Sequence, residues 1–222
     1  LYATGRNYVW AIATDSTGNA YVGLGGTTAG SAAVMRVSPD GKATQIFEGK
    51  ELAVQAVAVL RDGSVLAATS PDGKVYRIPA AGGAATVLFD PSATAEKPKY
   101  LWGLAVGRDG AVYVAAGAPA AVYRVPAGGG KADVLFKTAD QHIRCLLMAP
   151  DGTLWAGSDG SGVIYKISTT QAGAKPFAVY AAARREITSL AMDAAGNVYA
   201  AGVGTARTTL PPLPVTGTTG IT

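Results

Sequence analysis

The chain has 222 residues, of which 49% are hydrophobic and 15% charged; it is long enough to bury a sizeable core and too apolar to be a disordered segment. Its net charge of +4 is spread without a dense Lys/Arg run, which gives no nucleic-acid footprint, and no apolar run reaches the length of a membrane-spanning helix. One cysteine, Cys145, and one histidine, His142, exclude a disulfide framework and a Cys- or His-rich metal site.

In chain order, the first unit predicts an inner strand through Val9 and Ile12, a hairpin turn at 15–19, a second strand through Tyr21, a third at 34–37 and a fourth at 45–47. The second unit repeats this with Val54 and Val57, a turn at 61–64, Leu66, a third strand at 75–78, a Pro/Gly turn at 79–83 and a fourth strand at 87–89. A long link, 90–99, leads to the third unit: Leu101 and Leu104, a turn at 108–111, Tyr113, strands at 122–125 and 134–136. The fourth unit has Ile143 and Leu146, a turn at 150–153, Trp155, and strands at 164–167 and 177–180. A fifth begins with Ile187 and Leu190, a turn at 194–197 and Tyr199.

The turn glycines, Gly18, Gly63, Gly110, Gly152 and Gly196, are separated by 45, 47, 42 and 44 residues. Four antiparallel strands at this period, with no amphipathic helix, predict an all-β fold, a β-propeller of four-stranded antiparallel blades with about five blades represented. Seven residues before each turn glycine stands a small residue: Ala11, Ala56, Gly103, Cys145 or Ser189. This column is expected at the crowded axis, where Cys145 serves as a packing residue. Residues 1–4 match the end of a fourth strand, so the chain reads as a processed or excised piece. Either 1–4 completes the fifth blade, or the chain is an arc of a propeller with roughly six to eight blades. The break in the pattern at 204–216 favours the arc. Blades are expected over 1–203, and a Pro/Gly/Thr-rich tail or linker over 204–222, which could add one strand.

The segment 101–114, with Leu101, Trp102, Gly103 and Asp109-Gly110, resembles an NHL-type inner hairpin. The segment 150–167, with Pro150-Asp151-Gly152, Trp155 and Tyr165, resembles a two-component-regulator propeller repeat. Together the units are similar to bacterial propellers of the NHL, WD-repeat-like and two-component-regulator types. The Trp-Asp and Gly-His signatures of true WD repeats are absent. The resemblance implies a blade architecture, and a mostly exported class of proteins, but no reaction. The Cys-poor, Ala/Gly/Thr-rich composition points the same way, to an extracytoplasmic location.

Two columns break the repeat at the mouth of the expected channel. Ten residues before each turn glycine stand Tyr8, Ala53, Tyr100, His142 and Glu186; eight before stand Trp10, Gln55, Trp102, Arg144 and Thr188. The candidate site is therefore Tyr8, Trp10, Gln55, Tyr100, Trp102, His142, Arg144 and Glu186, residue types enriched in binding hot spots. The plainer alternative is that they pack the ends of the inner strands. A second charged column, Arg36, Arg77, Arg124 and Lys166 on the third strands, reads either as a basic ring or as solvated blade edges.

Catalytic motifs are poorly represented. No P-loop, zincin, haem-attachment or Gly-x-Ser-x-Gly pattern occurs, and Asp72-Gly73 and Asp159-Gly160 lack the alternating acids of calcium loops. No metal or cofactor is expected. Propeller lactonases hold a central metal with several inner-strand acids and amides, of which only Glu186 is matched here. Leu213-Pro214-Val215-Thr216-Gly217 fits a wall-sorting pattern, but Pro211 and Pro212 beside it favour an extended linker. The expectation is a non-catalytic binding, scaffolding or sensory-input propeller with a protein or small-molecule partner, no nucleic acid and no membrane insertion. Remaining blades or further domains are also expected as partners. The alternative is a propeller enzyme of lactonase or lyase type.

Overall fold

The computed structural model describes residues 3–171 and 174–206, which hold eighteen β-strands and no α-helix. The first blade is β1 (Tyr8–Thr14), β2 (Ala20–Gly25), β3 (Ala33–Val37) and β4 (Ala43–Glu48). The second is β5 (Ala53–Val59), β6 (Val65–Ser70), β7 (Val75–Ile78) and β8 (Thr86–Phe89). The third is β9 (Tyr100–Val106), β10 (Val112–Gly117), β11 (Ala121–Val125) and β12 (Asp133–Lys137). The fourth is β13 (His142–Met148), β14 (Thr153–Asp159), β15 (Val163–Ser168) and β16 (Phe177–Ala181), and β17 (Arg184–Met192) with β18 (Val198–Ala206) opens a fifth. Within each blade consecutive strands pair antiparallel, as the repeat predicts. Pairing of Arg184 with Ala206 carries β18 past residue 203. Of the strand-like segment 1–4 only Ala3 and Thr4 are described, and they lie outside any strand. The sorting-like motif at 213–217 and the rest of the tail lie outside the described residues.

The five hairpin turns share one backbone, and four of them divide between two side-chain designs. Their glycines all sit at φ +79° to +87°, a region an L side chain enters only with strain. In the first and fifth blades an aspartate three residues earlier closes the turn. The Asp15 carboxylate accepts from Asn19 N at 2.9 Å and Tyr21 OH at 3.0 Å, and Asp193 accepts from Asn197 N at 2.8 Å and Tyr199 OH at 3.0 Å. In the second and third blades the aspartate directly precedes the glycine and reaches the third strand instead. Asp62 pairs with Arg77 at 2.5 Å and Asp109 with Arg124 at 2.7 Å. Two of the four third-strand cations are thus neutralised within their own blades, which removes the basic ring. Such exposed pairs contribute no more than about 1 kcal/mol each.

Blades join through their faces. One core cluster combines Tyr21 and Val34 of the first blade with Val54, Val65 and Ile78 of the second. The next combines Leu66 and Val75 with Leu101, Val114 and Tyr123, and a third joins the third and fourth blades through Tyr113, Ile143 and Leu154. Second strands lie between two such interfaces, which is why all six residues of β6 and of β10 are buried and why these strands do not alternate apolar with polar. A repeated latch ties each blade to the one before. Tyr76, Tyr123 and Tyr165 pack against Phe47, Phe89 and Phe136 of the preceding fourth strand, with ring centroids 5.0, 5.1 and 5.9 Å apart. Their hydroxyls donate to Glu51, Glu96 and Asp140 in the preceding link. Burial pushes the Tyr76 hydroxyl up to about 12.

The small column packs between neighbouring inner strands, rather than simply lining an axis. A Cβ on Gly103 would lie 3.5 Å from the Cys145 Cα of the next blade, and Cys145 Sγ donates to the Ile187 carbonyl at 3.5 Å. Burial pushes the Cys145 thiol up to about 12, as a packing cysteine requires. Among the described residues the outward faces of the first and fifth blades are uncovered: Val9 and Ile12 on β1 are 50% and 65% exposed, and Tyr199 on β18 is 58% exposed.

Candidate functional site

Each inner strand carries a β-bulge at the same place. The register skips between Val9 and Ala11, Val54 and Ala56, Leu101 and Gly103, Ile143 and Cys145, and Ile187 and Ser189. The residues left unpaired are Trp10, Gln55, Trp102, Arg144 and Thr188, the column eight before the turn glycine. A bulge re-aims a side chain and frees it from the ladder. The column's variety follows, since the residue there has no fixed cross-strand partner to match.

The other column stands where blades meet. Its members Ala53, His142 and Glu186 pair across to Gly25, Gly117 and Asp159, the last residues of the preceding second strands. Between the second and third blades Ser70 replaces this bridge: its hydroxyl donates to the Leu101 carbonyl at 3.2 Å and accepts from Leu101 N at 2.9 Å. Gly25, Ser70, Gly117 and Asp159 all stand seven residues after the turn glycine, so the same alignment of repeats contained them and they were not singled out.

From Tyr100 to Glu186 the mouth residues form one network. Tyr100 stacks on Trp102 with centroids 5.1 Å apart and planes at 18°. His142 stands edge-on to both rings, 5.5 Å from each. Trp102 Nε1 donates to His142 Nδ1 at 3.1 Å. The Arg144 guanidinium lies 3.8 Å from the Trp102 centroid, and its Nε donates to Glu186 Oε1 at 2.8 Å. The approach is so close that a Cβ on Gly117 would fall 1.9 Å from His142 Nδ1; only glycine fits. Tyr8 and Trp10 form a separate pair, 5.5 Å apart, 46% and 48% exposed. Gln55 is half-buried between these two aromatic pairs in chain order.

Burial holds the His142 pKa below its ordinary value, Asp159 and Glu186 push it up, and Arg144 pushes it down; the net shift is downward. The ring is therefore neutral near pH 7. Because Nδ1 accepts the indole N–H, the proton sits on Nε2. The charges of Arg144 and Glu186 are spent on each other. The chemistry left to the site is a planar aromatic surface, one imidazole N–H, the Tyr100 hydroxyl and a fixed ion pair. No group of three or more His, Cys, Asp or Glu able to hold a metal occurs among the described residues. Among the same residues no helix is long and apolar enough to cross a membrane. A cavity of 740 Å³ lies away from the mouth, between the outer strands of the second and third blades near Phe89, Glu96 and Tyr123. Of its polar lining, Glu96 is already held by Tyr123 and by Lys137 outside the cavity, and Asp90 by Lys74.

Solved structures share this architecture. The virginiamycin B lyase of Staphylococcus aureus superimposes with a TM-score of 0.67 at 14% identity, over 92% of this chain and 73% of the lyase. A streptogramin B lyase does so with a TM-score of 0.67 at 12% identity, over 92% and 72%. A chain of a nidogen/laminin complex gives 0.69 at 15% identity, over 87% and 72%. The fold is a β-propeller. Neither a protein-family model nor a curated protein sequence matches the chain. At such identities the likeness is one of fold, and that fold serves an enzyme in one neighbour and a protein complex in another.

Proposed function

We propose that the chain is a binding propeller whose mouth, at the start of the inner strands, recognises a protein or small ligand without transforming it. The observation that carries this reading is the network of Tyr100, Trp102, His142, Arg144 and Glu186, in which the indole N–H, the imidazole Nδ1, the guanidinium and the carboxylate hold one another in place while the imidazole Nε2–H stays free to meet a ligand. Fixed aromatic and guanidinium surfaces lose little freedom on binding, which is how preorganised sites gain affinity. The test compares the parent with a Trp102→Ala, Arg144→Ala double variant in quantitative capture from native extract, alongside a lactone and ester panel. The expected result is a partner that the double variant loses, and no turnover.

One observation favours a lyase as the second reading. His142 is neutral and keeps a proton on Nε2 beside two carboxylates, Asp159 and Glu186. Among the solved neighbours is a catalytically inactive histidine-to-alanine variant of the staphylococcal lyase with quinupristin. Turnover of quinupristin or of a simpler ester by the parent, abolished in His142→Ala, would replace the binding reading with this one.

A further inference from the structure

The blades carry one aromatic motif twice, once filled and once, among the described residues, unfilled by the protein's own side chains. Tyr8 and Tyr100 each pair with the glycine that ends the second strand, Gly25 or Gly117. Each glycine then bridges to the first residue of the next inner strand, Ala53 or His142. A Cβ on Gly25 would fall 2.9 Å from Trp10 Nε1, and one on Gly117 would fall 2.7 Å from Trp102 Nε1. Both indoles therefore lean across their glycine towards the next blade in the same way.

What they meet there differs. Trp102 receives two further partners: Arg144 places a guanidinium over its ring, and His142 accepts its N–H. At the positions matching His142 and Arg144, the second blade has Ala53 and Gln55. Ala53 carries no acceptor side chain and Gln55 no charge. Trp10 keeps the neighbouring tyrosine, but among the described residues its N–H reaches no protein acceptor and its ring lies under no cation. It is also 48% exposed. The protein thus displays what satisfies this motif, and lacks it in one of the two copies.

We propose that Tyr8 and Trp10, over the floor made by Gly25 and Ala53, form a site for an arginine residue of a peptide partner. The guanidinium lies on the Trp10 ring as that of Arg144 lies on Trp102, and a peptide carbonyl accepts the Trp10 N–H as His142 Nδ1 accepts that of Trp102. Arginine is favoured over lysine because its planar, weakly hydrated cation stacks on an indole face, whereas an ammonium is a compact and strongly hydrated charge. The proposal rests on reading the mouth as a binding surface and names one ligand group for it.

The test uses the ¹⁵N-labelled chain, whose three tryptophans give three indole N–H signals, assigned with Trp10→Phe and Trp102→Phe. The probes are the tripeptide glycyl-arginyl-glycine, its lysine counterpart and its uncharged citrulline counterpart. The expected result is a saturable shift of the Trp10 signal with the arginine peptide, several-fold weaker with lysine and absent with citrulline, while Trp102 stays still. Ala53→His with Gln55→Arg, which copies the filled motif, moves the Trp10 signal towards that of Trp102 and abolishes the response. Gln55→Arg alone, a milder change, weakens binding by placing a like charge beside the ring. A Trp10 signal that ignores all three peptides, or answers citrulline as it answers arginine, overturns the proposal. So does an undiminished response in Gln55→Arg. If Trp10 is silent while partner capture still depends on Trp102 and Arg144, the arginine site falls and the binding mouth stands.

Discussion

Trp102 donates its indole N–H to His142 Nδ1 across the junction of the third and fourth blades, at 3.1 Å. One hydrogen bond thus fixes the tautomer of the chain's single histidine and the tilt of an aromatic ring from another blade. An imidazolium has no lone pair to offer that donor, so the bond exists only while His142 is neutral.

Replacing Trp102 by Phe removes the donor but keeps an aromatic ring. The expected outcome is a His142 pKa that rises towards the ordinary value, read from the single imidazole in a proton NMR titration. An unchanged titration midpoint would mean that burial and the neighbouring charges set the shift without the hydrogen bond.

Stability should fall as His142 is forced to take up a proton. Its folded pKa lies below 6.5, so between these two values the unfolded chain binds more protons and stability rises with pH. The contribution is complete above about pH 6.5 and is lost as pH falls towards the folded value. The carboxylates held low by their turns, such as Asp62 and Asp109, contribute in a lower window, below about pH 4. Thermal melts between about pH 7 and pH 5 should therefore show a slope that His142→Gln removes. An equal slope in both proteins contradicts the assignment.

Two glycines should respond differently to the same substitution. Gly117→Ala places a Cβ 1.9 Å from His142 Nδ1 and must displace the imidazole, at a cost of about 1–3 kcal/mol. Gly103→Ala meets nothing nearer than 3.4 Å and should be nearly neutral, whereas Gly103→Leu overfills the space against Cys145 at a similar cost of about 1–3 kcal/mol. Denaturant midpoints of the three variants check the order, and a neutral Gly117→Ala would show that the mouth can open without penalty.

Cys145 should be silent towards thiol reagents in the folded protein near pH 8, because burial holds its thiol up to about 12. It should react fully once the chain is unfolded. Rapid labelling of the native state would place the cysteine at the surface and undo the packing account of its column.

The blades were legible because each is a local pattern repeated. The five turn glycines, the apolar pair of each inner strand and the Val-Tyr-Arg type of third strand all recur at a near-constant period. The mouth was legible in part, for a complementary reason: Tyr8, Trp10, His142 and Arg144 stand out where the repeat predicts sameness. What periodicity could not supply was who meets whom. The contact of Trp102 with His142 spans 40 residues, and that of Arg144 with Glu186 spans 42. Sequence spacing put these pairs in neighbouring blades, but only the bulges and the glycine at 117 bring their side chains together. The Phe–Tyr–acid latches were missed for another reason. Their phenylalanines and tyrosines lie on strands already read as core, and their acids lie in links whose lengths differ.

The bulges also divide labour along the chain. Because Trp10, Gln55, Trp102, Arg144 and Thr188 each stand outside the ladder, a side-chain exchange there removes no cross-strand pair of the residue's own. The neighbours at −9 and −7 from the turn glycine hold the blade while the bulged residue is left to the mouth. Folding and the make-up of the mouth are thereby written in different letters of the same strand. Trp10, Gln55 and Thr188 are free to vary one at a time, whereas Trp102 and Arg144 touch and must change together; if the mouth binds as proposed, an exchange of bulge residues changes what is bound while the core stays still. A library randomised at these five sites alone should keep most of its members folded.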